Sequence, residues 1–160
     1  MTSSSLNYNE SVNPVGTIIL FGAETPPSGY LICDGAEASR ATFSDLFSVI
    51  GTSWGTSSTS NFNLPDLRGQ FIRGWDNGAG TDPESETRTT LNVGAATGNH
   101  VGTYQDDEFK SHTHAFSANS SIAGGGSNST VSSGGPIETG STGGLETRPK
   151  NVYVNYCIKY

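Results

Sequence analysis

Charge is scarce in this sequence, and basic charge scarcest. Only 14% of the 160 residues are Asp, Glu, Lys or Arg, with 8 basic against 15 acidic and a net charge of −7. A nucleic-acid surface needs clustered Lys and Arg to displace counterions from phosphates, so this balance argues against such a partner. Hydrophobic residues are also few, at 32%. A core that thin struggles to offset the entropy of ordering the chain, and self-association is the expected remedy. No apolar run approaches the ~20 residues that cross a bilayer, so membrane insertion is not expected. Residues 1–13 show neither the basic start nor the apolar stretch of a signal peptide. Two cysteines make no disulfide framework; Cys33 and Cys157 lie in strand-like runs and read as buried free thiols. What fills the gap is glycine (21 residues) with Ser, Thr and Asn, the composition of many turns and little helix.

The character of the chain changes at Pro14. Val15 to Phe21 is apolar and β-rich, a short buried strand closed by Gly22. Pro26-Pro27-Ser28-Gly29 combines fixed proline φ with a glycine free to take positive φ, which is a turn. Tyr30 to Cys33 follows as a second strand, ended by Asp34-Gly35. Phe43, Leu46, Phe47 and Ile50 then fall at i, i+3, i+4 and i+7, predicting one eight-residue helix. Thr42 is its expected cap, with Asp45 three residues on, and Gly51 sits where a left-handed C-terminal cap belongs. A helix this short must pack its stripe on the two strands. At the far end, Val152, Val154, Tyr156, Ile158 and Tyr160 alternate with Tyr153, Asn155, Cys157 and Lys159. That pattern predicts a strand with one buried face, returning the chain to the core or to a symmetry axis.

Ser111-His112-Thr113-His114 carries the most specific chemistry. On an extended strand, residues two apart share a face with Cα atoms about 6.6 Å apart, so two imidazoles can reach one ion. Two ligands are too few for a first-row metal, which takes four to six. His100, Cys33 and Cys157 are too distant in sequence to complete the set locally. Three chains around a three-fold axis would supply six nitrogens and an octahedral site. Such a nitrogen-rich site suits Fe(II), Co(II) or Ni(II) better than Zn(II), whose protein sites are usually tetrahedral.

Three motifs occur in order. They are Pro27-x-Gly29-Tyr30-Leu31-x-Cys33-Asp34-Gly35; then Leu46-Phe47-x-x-Ile50-Gly51-Thr52-x-Trp54-Gly55; then Phe62-Asn63-Leu64-Pro65-Asp66-Leu67-Arg68-Gly69-x-Phe71-Ile72-Arg73-Gly74. Together, over residues 14–75, they resemble the phage tail collar domain, found in tail fibres and baseplate-associated proteins of tailed bacteriophages. The second half, from Asp106 to His114, through a Gly/Ser-rich insert to Glu146-Thr147-Arg148-Pro149-x-Asn151, is similar to the distal part of such fibres. The resemblance implies that H-x-H pairs from three chains hold a metal inside a trimer, with iron favoured. This chain has a single H-x-H rather than a series, which implies a short tip with one site.

Other candidates read more plainly. Arg68 and Arg73 are expected to satisfy carboxylates such as Asp66 or loop carbonyls. Asp106, Asp107 and Glu108 read as a solvated acidic turn, since calcium loops space their ligands regularly. Gly124-Gly125-Gly126 lacks the Lys-Ser/Thr pair and the strand–helix context of a phosphate loop. No nucleophile comes with a base and an orienter, so an enzyme is not expected. In residues 117–144, 21 of 28 positions are Gly, Ser, Thr or Asn, and Glu138 is the sole charge. Hydroxyl and amide side chains there, among them Asn119, Asn128, Thr130 and Thr142 beside Glu138, are candidate contacts to a surface sugar or protein receptor.

The expectation is a mainly β, homotrimeric fibre protein: an α+β collar domain with one short helix, then an irregular Gly/Ser-rich β tip. Residues 1–13 would be an attachment arm to other tail or baseplate proteins, 14–75 the collar, 76–147 the distal receptor-binding region and 148–160 the closing strand. It would reside in the virion after synthesis in the host cytoplasm. A fibre adaptor without receptor binding is the alternative reading, and a metal-dependent depolymerase of surface glycan the third.

Overall fold

Short β-prone runs separated by proline and glycine turns give short strands. The computed structural model describes residues 13–113 and 146–160. Among them the strands are β1 (Ile18–Phe21), β2 (Tyr30–Ile32), β3 (Glu37–Ser39), β4 (Asn61–Asn63) and β5 (Asn155–Lys159). One α-helix, α1 (Ser44–Ile50), and a 3₁₀ turn at Ser85–Thr87 complete the regular structure. The fold is therefore mainly β with a single short helix.

The first sheet has the order β1-β5-β2, with β5 antiparallel to both neighbours. Cys157 lies opposite Ile19 and Ile32, and Ile158 opposite Ile18 and Leu31. The turn before β2 forms as expected: Tyr30 N–H donates to Pro27 O at 3.1 Å, with Gly29 at φ 79°. The C-terminal strand does return to the core, but two of its expected features are corrected. It starts at Asn155 rather than Val152, and Val152 and Tyr153 are exposed. Cys157 and Ile158 are both fully buried, although they are consecutive. Alternation describes a strand with one wet face, whereas a central strand covered on both faces buries neighbours in sequence. β1 is likewise shorter than read, and Leu20 on it is 64% exposed.

The helix falls where its stripe predicts. Leu46 is fully buried, and Phe43, Phe47 and Ile50 pack on a core of Cys33, Ala38, Leu46, Phe62, Leu64, Leu67 and Ile158. Thr42 is not its cap. The cap position is Phe43, with no side-chain bond. Ser39 turns the chain earlier: its carbonyl accepts the Phe43 N–H at 2.9 Å and its Oγ the Thr42 N–H at 3.3 Å. Gly51 has positive φ (55°), but its ψ of −131° is not that of a left-handed cap; its N–H donates to Phe47 O at 2.9 Å.

β3 and β4 form an antiparallel pair around the helix, Ala38 opposite Phe62. Three-residue strands of mostly polar composition carry no readable alternation, so this pair was not foreseen. Arg40 ties it to α1, its Nε donating to Asn61 O at 2.9 Å while its guanidinium lies 4.5 Å from the Phe47 ring centre.

Residues 76–107, read above with the distal region, pack into the same unit as the collar motifs, which also takes Val152–Tyr160. Two close approaches seat them. A Cβ on Gly55 (φ 120°) would lie 2.7 Å from Asn92 Cβ, and one on Gly102 (φ 95°) would lie 2.6 Å from Ser53 O. Only glycine allows such contact at those angles. Asp76 organises the loop that follows: its carboxylate accepts the N–H groups of Gly80, Thr81 and Asp82 and the Thr81 hydroxyl at 2.7–2.9 Å. The second unit is Glu108–Asn151, of which 108–113 and 146–151 are described. There Arg148 pairs with Glu146 at 3.0 Å, both exposed.

Among the described residues Phe62 is the largest fully buried side chain. Replacing it with alanine should lower unfolding free energy by about 3–5 kcal/mol in a denaturant titration; a loss near zero would show that it is not central to the core. The Asp76 carboxyl is held below its ordinary value by the Thr81 hydroxyl and three backbone N–H groups, and that of Asp66 by Arg68. A depressed carboxylate contributes stability that is fully present above its unfolded value of about 3.9 and lost as pH falls through the folded one. Asp76→Asn should therefore melt below wild type at neutral pH, with the gap narrowing as pH falls below about 4. A gap independent of pH would contradict this account.

Candidate functional site

The segment after Leu67 leaves the core while keeping its large apolar side chains. Phe71, Ile72 and Trp75 are all more than half exposed. Together with residues 99–105 they line a cleft of about 270 Å³. Trp75 is fixed in the wall by its indole N–H, which donates to Asn99 O at 3.0 Å and Asn99 Oδ1 at 2.8 Å.

The polar part of the lining centres on Asp82, 6% exposed and the sole buried charged side chain among the described residues. Burying a carboxylate is costly without a well-placed cation and hydrogen bonds. Arg88 supplies the cation: its Nη1 lies 3.2 Å from Asp82 Oδ2, and Asp82 Oδ1 accepts the Glu84 N–H at 3.2 Å. Arg88 is itself held by Thr103 Oγ1 (3.0 Å), Thr103 O (3.3 Å) and Gln105 Oε1 (2.7 Å). Arg73 approaches the same oxygen more loosely, at 3.5 Å, and donates to Thr81 O at 3.3 Å. It is half exposed where Arg88 is largely buried.

Sequence reasoning expected Arg68 and Arg73 each to satisfy carboxylates such as Asp66 or loop carbonyls, and in the structure Arg68 meets Asp66 while Arg73 meets Thr81 O and Asp82. Arg68 grips Asp66 with two bonds, at 2.8 and 2.7 Å. It missed the Asp82–Arg88 pair and the platform role of Trp75. Arg88 and Asp82 are six residues apart with only a 3₁₀ turn between them, and the other side-chain partners of Arg88, Thr103 and Gln105, lie 15 and 17 residues further on, so no local pattern announced them. The turn-rich run Asp76-Asn77-Gly78 was the available signal that residues beyond Trp75 fold back.

Of the two candidate metal ligands, His112 is described and exposed. Its Nδ1 lies 3.0 Å from Lys110 O. A carbonyl only accepts, so in this arrangement Nδ1 carries a proton. Metal-bound histidines are commonly oriented this way, by a backbone carbonyl on the other nitrogen. His114 lies outside the described residues. So do Asn119, Asn128, Thr130, Glu138 and Thr142. His100 is exposed, with its carbonyl accepting the Thr103 hydroxyl at 2.8 Å. Among the described residues no group of three or more His, Cys, Asp or Glu converges on one point. In the acidic stretch Asp106 accepts the Tyr104 hydroxyl at 2.6 Å, which pushes the phenol up from its ordinary value.

Residues 16–72 match the family described as Phage Tail Collar Domain. The chain is 36% identical over 175 aligned positions to Protein RhiB of Rhizobium leguminosarum, an alignment covering 99% of this chain and 80% of RhiB. It is 33% identical over 112 positions to protein StfE of Escherichia coli, covering 70% of this chain and 50% of that protein. To the short tail fiber protein gp12 of Enterobacteria phage T4 it is 36% identical over 111 positions, covering 64% of this chain and 20% of gp12. With three ordered collar motifs, a β-rich fold around one short helix, and these relatives, the chain belongs to the phage tail collar domain family.

Proposed function

We propose that this protein is a structural component of a phage tail fibre, assembled as a homotrimer and touching the host surface through the region between its collar and its last strand. The observation that carries the reading is the collar segment, shared with a protein named as a short tail fibre and followed by the H-x-H pair. Residues 1–13 would join it to other tail or baseplate proteins, placing it in the virion. Host glycan or a surface protein would be met by the loop that holds Asn119, Asn128, Thr130, Glu138 and Thr142. Among the described residues, no helix is long and apolar enough to cross a membrane.

His112 and His114 from each of three chains would hold one metal ion, iron by preference. Bound between chains, the ion would fix their register and add its binding energy to assembly. The orientation of His112 by Lys110 O supports its part in this.

Light scattering of the purified protein should give three times the chain mass, and elemental analysis about one ion per three chains. His112→Ala and His114→Ala should each lower the melting temperature of the trimer, while His100→Ala should not. A monomer, or a metal-free trimer of full stability, would refute the clasp.

Deleting residues 119–143 should leave the collar folded and abolish adsorption to host cells. Unchanged adsorption would favour the adaptor reading, in which the tip serves assembly alone.

A further inference from the structure

The cleft beside Trp75 has the makings of a ligand site that the collar fold itself does not require. Its volume of about 270 Å³ lies near the lower end of small-molecule pockets, room for one six-membered ring rather than an extended chain. Trp75 is 51% exposed, yet its indole N–H is anchored twice, so the ring stands as an oriented plane. The face of an indole is electron-rich and attracts the polarised C–H edge of a ring laid against it.

Charge in the lining is not balanced where it is exposed. Two guanidiniums, Arg73 and Arg88, share the single buried carboxylate of Asp82. Arg88 takes the shorter contact and spends its other donors on Thr103 and Gln105. The Asp76 carboxylate, also in the lining, is turned to backbone N–H groups and the Thr81 hydroxyl. Arg73 is left with two long contacts, 3.3 and 3.5 Å, and half its side chain in solvent. A guanidinium has five donors in a planar fork, so Arg73 retains the geometry to take a carboxylate or phosphate. The third carboxylate of the lining, Asp66, is taken by Arg68. The polar remainder of the lining includes Asn99, His100 and Gln105, side chains that hydrogen-bond hydroxyl groups.

We infer that this cleft binds an acidic monosaccharide unit, its ring against Trp75 and its anionic group on Arg73. The inference goes beyond the host contact proposed for residues 119–142, and it requires neither the metal nor adsorption. Sugar binding by a protein that fails to adsorb would count against the virion reading alone.

The test is titration calorimetry of the full-length protein with sodium glucuronate, glucose 6-phosphate, glucose and benzoate. Glucuronate, glucose 6-phosphate or both should bind with Kd on the order of 1 mM, and whichever binds identifies the anionic group recognised. Glucose and benzoate should each bind at least about tenfold more weakly, the first lacking the charge and the second the hydroxyls. Arg73→Gln should lose about tenfold or more in affinity for the acid, and Arg73→Lys should lose less, keeping charge without the fork. Trp75→Ala should also weaken binding. The inference is overturned if neither acid binds at about 20 mM, if glucose or benzoate binds as well as the acids, or if a folded Arg73→Gln protein binds unchanged. Should Arg73→Gln not fold, the comparison of acids with glucose on the native protein decides alone.

Discussion

The insertion of β5 between β1 and β2 is the constraint on which the first unit depends. β1 and β2 are both paired to β5 and not to each other, so the sheet exists only once residues 155–159 have come back. Ile158 then sits in the cluster with Leu46 and Phe62, which joins the sheet to the helix and to the β3–β4 pair. The chain leaves this unit after Asp107 and re-enters at Val152. Closure entropy grows only with the logarithm of loop length, so a long insert costs the sheet little more than a short one. Sequence between those two points is thereby freed from the demands of the core.

The collar motifs gain a physical meaning from their hydrogen bonds. Leu67 N–H donates to Cys33 O, Gly35 N–H to Pro65 O and Leu64 N–H to Ala36 O, at 2.9–3.0 Å. Asp34 and Asp66 form an isolated bridge in the same stretch. A Cβ on Gly35, at φ 76°, would stand 3.0 Å from Asp66 Cβ. The Cys33-Asp34-Gly35 and Leu64-Pro65-Asp66-Leu67 motifs are thus two sides of one contact. Pro65, with no N–H to lose, is fully buried there. Arg68 then covers the Asp66 carboxylate from the solvent side.

Beyond the motifs, order comes from side chains bonding to loop backbone. Asp76 collects three N–H groups, Thr90 and Asn92 brace their own turn, and Asn92 Nδ2 donates to Trp54 O at 3.0 Å. Such contacts suit a chain rich in Gly, Ser, Thr and Asn, because short polar side chains can replace strand ladders as partners for backbone groups. They also explain how a cleft with a buried carboxylate can be built from segments without regular structure.

Local chemistry was legible from the sequence. The apolar stripe of the helix, the Pro27–Gly29 turn, the return of the last strand, and the Arg68–Asp66 pair each depend on residues close together or on one simple period. The ordered motifs also named the family. Tertiary structure alone decided which edges pair, and so why Cys157 and Ile158 are buried together, and why Ser39 rather than Thr42 turns the chain into α1. It also decided that Arg73 and Arg88 meet at Asp82 beside Trp75. Those outcomes follow from contacts between residues far apart in the chain, and no periodicity or local spacing encodes a distance of that kind.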